Sequence, residues 1–340
     1  MIKRILFVFG IALLILLIWN GSLVLYAARQ GYGQLKIVWN AQPIEKFIKD
    51  PTFPDSLKSK LHLIEEIRRF AIDSLGLKDT KNYQKLYDQK GEEILWVVQA
   101  CEPFQLKPKT WDFPIVGIVP YKGYFRKQLA LDEGARLEAE GYDVSIRNPG
   151  GWSTLGWFND PILSGMLKRN EGDLASLIIH EMVHATIFVK DDVDFNENLA
   201  SFIGDTAAYY FLAAHFGKTS HQLEQYLHED QDYRKYSRHI LQGTRALDSL
   251  YQVFQPDEPL ESKKERKQNL IRHIMTSADT LTLHTPRPSS NNRRLPNNTY
   301  FMSYHLYQAK QNLFKQELED TFNGDLKQYI VHLKEKYPYL

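Results

Sequence analysis

Between Ile178 and Asp205 the chain reads IIHEMVHATIFVKDDVDFNENLASFIGD. Leu174 to Val189 is apolar at nearly every position, so as a helix it should be buried. Two imidazoles and a carboxylate inside such a helix are costly unless they are paired or bound to something. His180 and His184 stand four apart on one helical face, so their ring nitrogens can converge on a single ion, and neutral imidazole is a favoured zinc ligand. Glu181 lies about 100° further round the helix than His180. That is too displaced for a third ligand but within reach of a water at the metal, the place of a general base.

Catalytic zinc usually takes three protein ligands and leaves a position for water. A histidine six residues after the second one, following a glycine, is not available: Phe188 and Lys190 occupy those places. Asp191, Asp192 and Asp194 are candidates that crowd the end of the same helix. Glu197 is better placed. Asn196 reads as the N-cap of a second helix running to Gly217, along which Glu197, Ala200, Ser201, Gly204 and Ala208 form a small-residue stripe. Such a stripe lets two helices approach closely and brings Glu197 toward the imidazoles. The expected centre is one Zn²⁺ per chain held by His180, His184 and Glu197, with Glu181 as the catalytic base.

The surrounding chain reads as α+β and mostly helical. From about residue 29 to 110, IEKFIKD, LKSKLHLIEEIRRFAIDSLGL and YQKLYDQKGEEILWVVQA have apolar positions at three and four spacing, broken at Pro51 and Pro54. Over 111–165, FPIVGIVPY, the amphipathic RKQLALDEGARLEAEG and YDVSIR make a βαβ-like unit, with some parallel sheet, followed by an aromatic edge segment from Trp152 to Phe158. The zinc-site helices occupy 172–217. The remainder, 218–340, is helical, with SKKERK (Ser262 to Lys267) as a solvated face. One domain, 29–340, contains all of this.

Composition narrows the partners. The 340 residues carry 42 basic and 41 acidic side chains, so no overall field draws the molecule to nucleic acid. Cys101 is the one cysteine, which excludes an intrachain disulfide and any multi-cysteine metal site. Between Arg4 and Arg29 lies an uncharged stretch of 24 residues, roughly 36 Å as a helix and long enough to cross a membrane with some tilt. Trp19 and Tyr26 fall at its outer end, as interface anchors do. A cut after Ala28 would put Tyr26 at −3, so a transmembrane anchor over 1–28 is favoured over a cleaved signal peptide. The expected setting is single-pass in a bacterial inner membrane, the catalytic domain on the periplasmic side.

FNENLASF after HEMVHATIFVKDD, together with VGIVPYKGYF, STLGWFNDPILSGML, YGQL (Tyr32 to Leu35) and LPNNTYF, resembles the predicted bacterial aminopeptidases of the zinc-dependent His-Glu-x-x-His class. The blocks agree in order from about Tyr26 to Lys336. The resemblance implies a zincin-like core with a small mixed sheet, His180, His184 and Glu197 as ligands, Glu181 as base, and an envelope location. Two departures stand out. No lipobox cysteine is present, so a transmembrane helix would replace the lipid, and Ser201 stands where the best-known glutamate-zincins carry an Asp four residues after the ligand Glu; Asp205 is a weaker substitute.

The function that follows is peptide hydrolysis, with a peptide substrate that the Trp152 to Phe158 segment could pair as an edge strand. For the oxyanion, Tyr209, His215, Tyr300 and Tyr304 are candidates. The rivals are a membrane-tethered scaffold with a structural metal, which would not need Glu181, and a metal-dependent hydrolase of a non-peptide amide or ester.

Overall fold

The computed structural model describes residues 21–113, 117–149, 159–289, 294–308 and 310–337. The main core is built by five helices: α3 (Asp55–Asp73), α5 (Glu171–His184), α6 (Val193–His215), α10 (Gln311–Phe322) and α11 (Leu326–Lys336). Ile64, Ile67, Ile178, Ile179, Ile203 and Leu212 are wholly buried there. α5 and α6 are the two helices expected from the sequence over 172–217, and α5 is apolar on nearly all sides because it is enclosed. Asn170 caps it, its side chain accepting from Asp173 N at 2.8 Å. α6 stops at Gly217, whose φ of 97° only a residue without Cβ adopts readily.

The N-terminal part departs from the helical reading of 29–110. α1 (Gly21–Asn40), α2 (Ile44–Lys49) and α3 are helical, but YQKLYDQKGEEILWVVQA is not: it forms β2 (Lys85–Tyr87), a turn with positive φ at Lys90 and Gly91, and β3 (Trp96–Cys101). β3 is buried from Val97 onward, and a short run enclosed on both faces has no period to distinguish it from a helix segment. β1 (Gln42–Pro43) pairs antiparallel with β2, and β2 pairs in parallel with β8 (Ile162–Leu163).

The expected βαβ unit is present in altered form. The stretch around FPIVGIVPY contributes β4 (Trp111–Phe113) and β5 (Gly117–Val119), an antiparallel hairpin; β6 (Lys122–Tyr124) leads into α4 (Lys127–Ala139), and β7 (Asp143–Arg147) follows. β3 inserts between β6 and β7 and runs antiparallel to both. The crossover therefore joins two strands that are not neighbours, and the parallel pairing lies in the β2–β8 sheet instead. The aromatic edge segment Trp152 to Phe158 lies outside the described residues.

A third group, α7 (His221–Gln252), α8 (Leu260–Ala278) and α9 (Asn298–Gln308), packs around Ile240, Leu247, Ile271 and Phe301. The SKKERK run is not wholly solvated: Lys267 is buried, pairs with Asp143 of β7 and donates to Pro103 O at 2.8 Å. Asn298, from the LPNNTYF block, donates its backbone N–H to the same carboxylate, and its side chain bonds Glu102 O and Tyr251 OH. That block fastens α9 to the sheet and to α7.

Among the described residues no helix is long and apolar enough to cross a membrane. Residues 1–20 of the expected anchor lie outside them. Tyr26, expected as an interface anchor, packs on Phe113 and Tyr124 and donates to Gly123 O at 3.0 Å, so its ring and hydroxyl are engaged by the domain.

Candidate metal centre

α5 presents His180 and His184 from consecutive turns, their rings at 84° and their Nε2 atoms 3.0 Å apart. Glu197, on the first turns of α6, places Oε2 3.5 Å from His180 Nε2 and 3.7 Å from His184 Nε2. Among the described residues this is the one group of three such side chains whose ligand atoms converge. Ligands about 2.0–2.2 Å from a tetrahedral zinc lie about 3.4 Å from one another. The three observed separations bracket that value, so the donor set fits the ion in chemistry and in spacing.

Gly204 makes this convergence possible. A Cβ there would lie 2.8 Å from Ser176 O and 3.2 Å from the Cβ of His180, so α5 and α6 meet backbone to backbone along the small-residue stripe. Gly204→Val is accordingly expected to destabilise the fold by about 1–3 kcal/mol or more in urea titration, and to loosen metal binding by pushing His180 away from Glu197. Unchanged stability would mean the helices are not held that tightly.

The turn between the helices is shorter than the sequence suggested. Asp192, not Asn196, caps α6, accepting from Phe195 N at 3.0 Å. Asn196 instead clamps the turn: its Oδ1 accepts from Val189 N and its Nδ2 donates to Val189 O. Asn198, fully buried, accepts from Lys310 N at 2.9 Å and holds the approach to α10. Three consecutive residues, Asn196, Glu197 and Asn198, thus fix the turn, face the imidazoles and tie down the neighbouring helix. The competing aspartates are placed elsewhere. Asp191, at φ 63°, accepts from Ile118 N at 3.0 Å and latches the turn to β5, while Asp194 lines a small cavity of about 30 Å³ beside Cys101 and Thr299. Cys101 is buried, and burial pushes its thiol up to about 12.

Burial also governs the charges. It raises the carboxyl of Glu181, which is 6% exposed, so this group holds a proton more readily than an ordinary glutamate. Burial would raise Glu197 too, but the imidazoles of His184 and His180 outweigh it and hold that carboxylate well below the usual range. His180 is raised in turn, because Glu197 and Glu181 overcome its desolvation. The outer shell is uneven: Ser201 Oγ lies 3.5 Å from His180 Nδ1, whereas His184 Nδ1 is buried with no partner among the described residues. Asp205 does not reach the histidines directly; it accepts from Ser176 Oγ at 2.7 Å, and burial lifts it to about 6.

A family model described as "Putative aminopeptidase" matches residues 25–336. The chain belongs to this family. No curated protein and no solved structure gives a significant match. Membership in an aminopeptidase family supports a peptidase function in general terms and covers the whole helical and sheet framework described above. Of the four oxyanion candidates from the sequence, two lie far from the centre. Tyr209 and His215 are 12 and 18 residues along α6 from Glu197, about 18 and 27 Å at 1.5 Å per residue. His215 pairs with Glu66 and stacks on Phe211. Tyr300 is engaged with Tyr236 at 2.8 Å, and Tyr304 approaches Tyr300 at 3.5 Å.

Proposed function

We propose that this aminopeptidase-family chain is a zinc-dependent peptidase, with His180, His184 and Glu197 as ligands and Glu181 as general base, tethered to a membrane through its uncharged N-terminal stretch. One observation carries the reading: a buried, unpaired carboxylate, Glu181, sits beside three converging ligand atoms where a structural metal would not require it. When bound, zinc supplies Lewis acidity, polarising a substrate carbonyl and bringing the pKa of a water to about 7. Glu181, with its raised proton affinity, accepts the proton of the attacking water and can return it to the departing amine. His180 and His184 offer their Nε2 atoms to the metal, held in place by the helix and, for His180, by Ser201 Oγ at 3.5 Å from Nδ1. α5 and α6 enclose the site on their own side and keep its polar groups away from bulk water, so that their interactions are stronger than in water.

The deciding experiment is a peptide-library digestion that reports the position of each cut, run on purified protein with its zinc content measured. About one zinc per chain, activity abolished by chelation and restored by zinc, and release of single N-terminal residues are expected. Cuts confined to the interior of peptides would replace the aminopeptidase reading with an endopeptidase one, and hydrolysis indifferent to chelation would remove the zinc. The tether is checked by whether the protein stays with membranes through an alkaline wash.

A further inference from the structure

The helix α1 has two unlike faces. Its inner face is seated in the domain: Tyr26 donates to Gly123 O at 3.0 Å, Gly33 meets the Phe125 ring so closely that a Cβ would lie 2.2 Å from it, and Gln34 and Ile37 are buried. The outer face of such a helix is ordinarily polar, and here it is not. Leu25, Tyr32 and Trp39 recur every seven residues along it and are 49%, 72% and 74% exposed. Among the described residues Tyr32 and Trp39 are the most exposed of the large apolar side chains. Arg29 and Lys36 share that side of the helix and are also exposed. They are the only charged residues of α1, which contains no acid.

Single apolar side chains scattered on a surface are ordinary, whereas a row of them interleaved with cations marks a helix that lies in a membrane interface. There the aromatic rings sit at headgroup level and the cations meet lipid phosphates. Two features favour a bilayer over a second copy of the chain as the occupant. The uncharged stretch that ends at Ala28 runs into the first two turns of α1, so this face begins where the proposed tether ends. Two copies joined through it would set Arg29 and Lys36 against the same cations, with no acid on the face to answer them. We propose that the outer face of α1 docks on an anionic bilayer, with Leu25, Tyr32 and Trp39 in the headgroup region and Arg29 and Lys36 on lipid phosphates. The contact orients the domain on the membrane. It takes from the function proposed above only the membrane setting and is separable from the tether.

The test uses full-length protein carrying Tyr32→Cys, Trp39→Cys or, as a reference, Val253→Cys at the end of α7, which is 55% exposed. Each is labelled with a fluorophore, the native Cys101 being buried, and reconstituted into vesicles of phosphatidylglycerol and phosphatidylcholine. Replacing side chains this exposed should leave the melting temperature unchanged. Lipids brominated near the headgroup should quench the labels at 32 and 39 about 2-fold or more and leave the one at 253 unchanged. Arg29→Glu with Lys36→Glu should remove at least about half of that quenching, as should vesicles of phosphatidylcholine alone. Unquenched labels at 32 and 39, equal quenching at all three positions, no loss on charge reversal, or unquenched Trp39→Cys copies that cross-link to each other would each overturn the proposal. Unquenched labels on protein that survives the alkaline wash remove this face and leave the tether. Quenched labels on protein that the wash strips off keep the face and remove the tether.

Discussion

Glu181→Gln is expected to keep its zinc and lose about 10²- to 10⁴-fold in kcat, equivalent to about 3–5 kcal/mol of transition-state stabilisation. The amide has the shape of the carboxylate but cannot take a proton from water. The converging atoms belong to His180, His184 and Glu197, so the replacement leaves the ligand set intact. Glu181 is also nearly buried, with a carboxyl raised by that burial, so a neutral amide should cost the fold little. Metal content and kcat measured on the same preparation check this. Full activity in the variant would show that the group beside the ligands is not the base.

Glu197→Ala should strip the centre of its anionic ligand and weaken zinc binding by more than the ~100-fold that loss of a supporting group around a metal costs. His180 and His184 would be left 3.0 Å apart with only each other to face. The same substitution carries a pH signature in chelator-treated protein. The imidazoles hold the Glu197 carboxyl below its ordinary value, so its contribution to stability is present above the normal carboxylate pKa and is lost as pH falls through the depressed one. Metal-free wild type should therefore exceed Glu197→Ala in urea stability near neutrality and approach it in strong acid. Unchanged zinc affinity would remove Glu197 from the ligand set, although Asp191, Asp192 and Asp194 are all placed elsewhere in this fold.

The pattern His180, Glu181, His184 and then Glu197 was legible because it depends on spacing alone. A four-residue step shares a helical face whatever surrounds it, and the small residues from Ala200 to Ala208 announced the close approach that Gly204 makes. The helices α3, α4, α5 and α6 were legible for the same reason, each burying one periodic stripe or, for α5, nearly the whole surface. The strands in YQKLYDQKGEEILWVVQA were not, since a short run buried on both faces has no period. Asn196 was misread as a cap because its local chemistry suits that place equally well; its bond to Val189 depends on where the preceding helix ends.

Sequence by itself therefore determined that His180, His184 and Glu197 converge with the Glu181 carboxyl next to them in the chain, and that the class is mostly helical α+β, all properties of residues near one another along the chain. Tertiary structure decided what depends on distant segments meeting: β3 inserted between β6 and β7, Asp191 drawn to β5, and Lys267 buried against Asp143. Local spacing is fixed by backbone geometry, whereas the partner of a buried polar group is fixed only when the whole chain has packed.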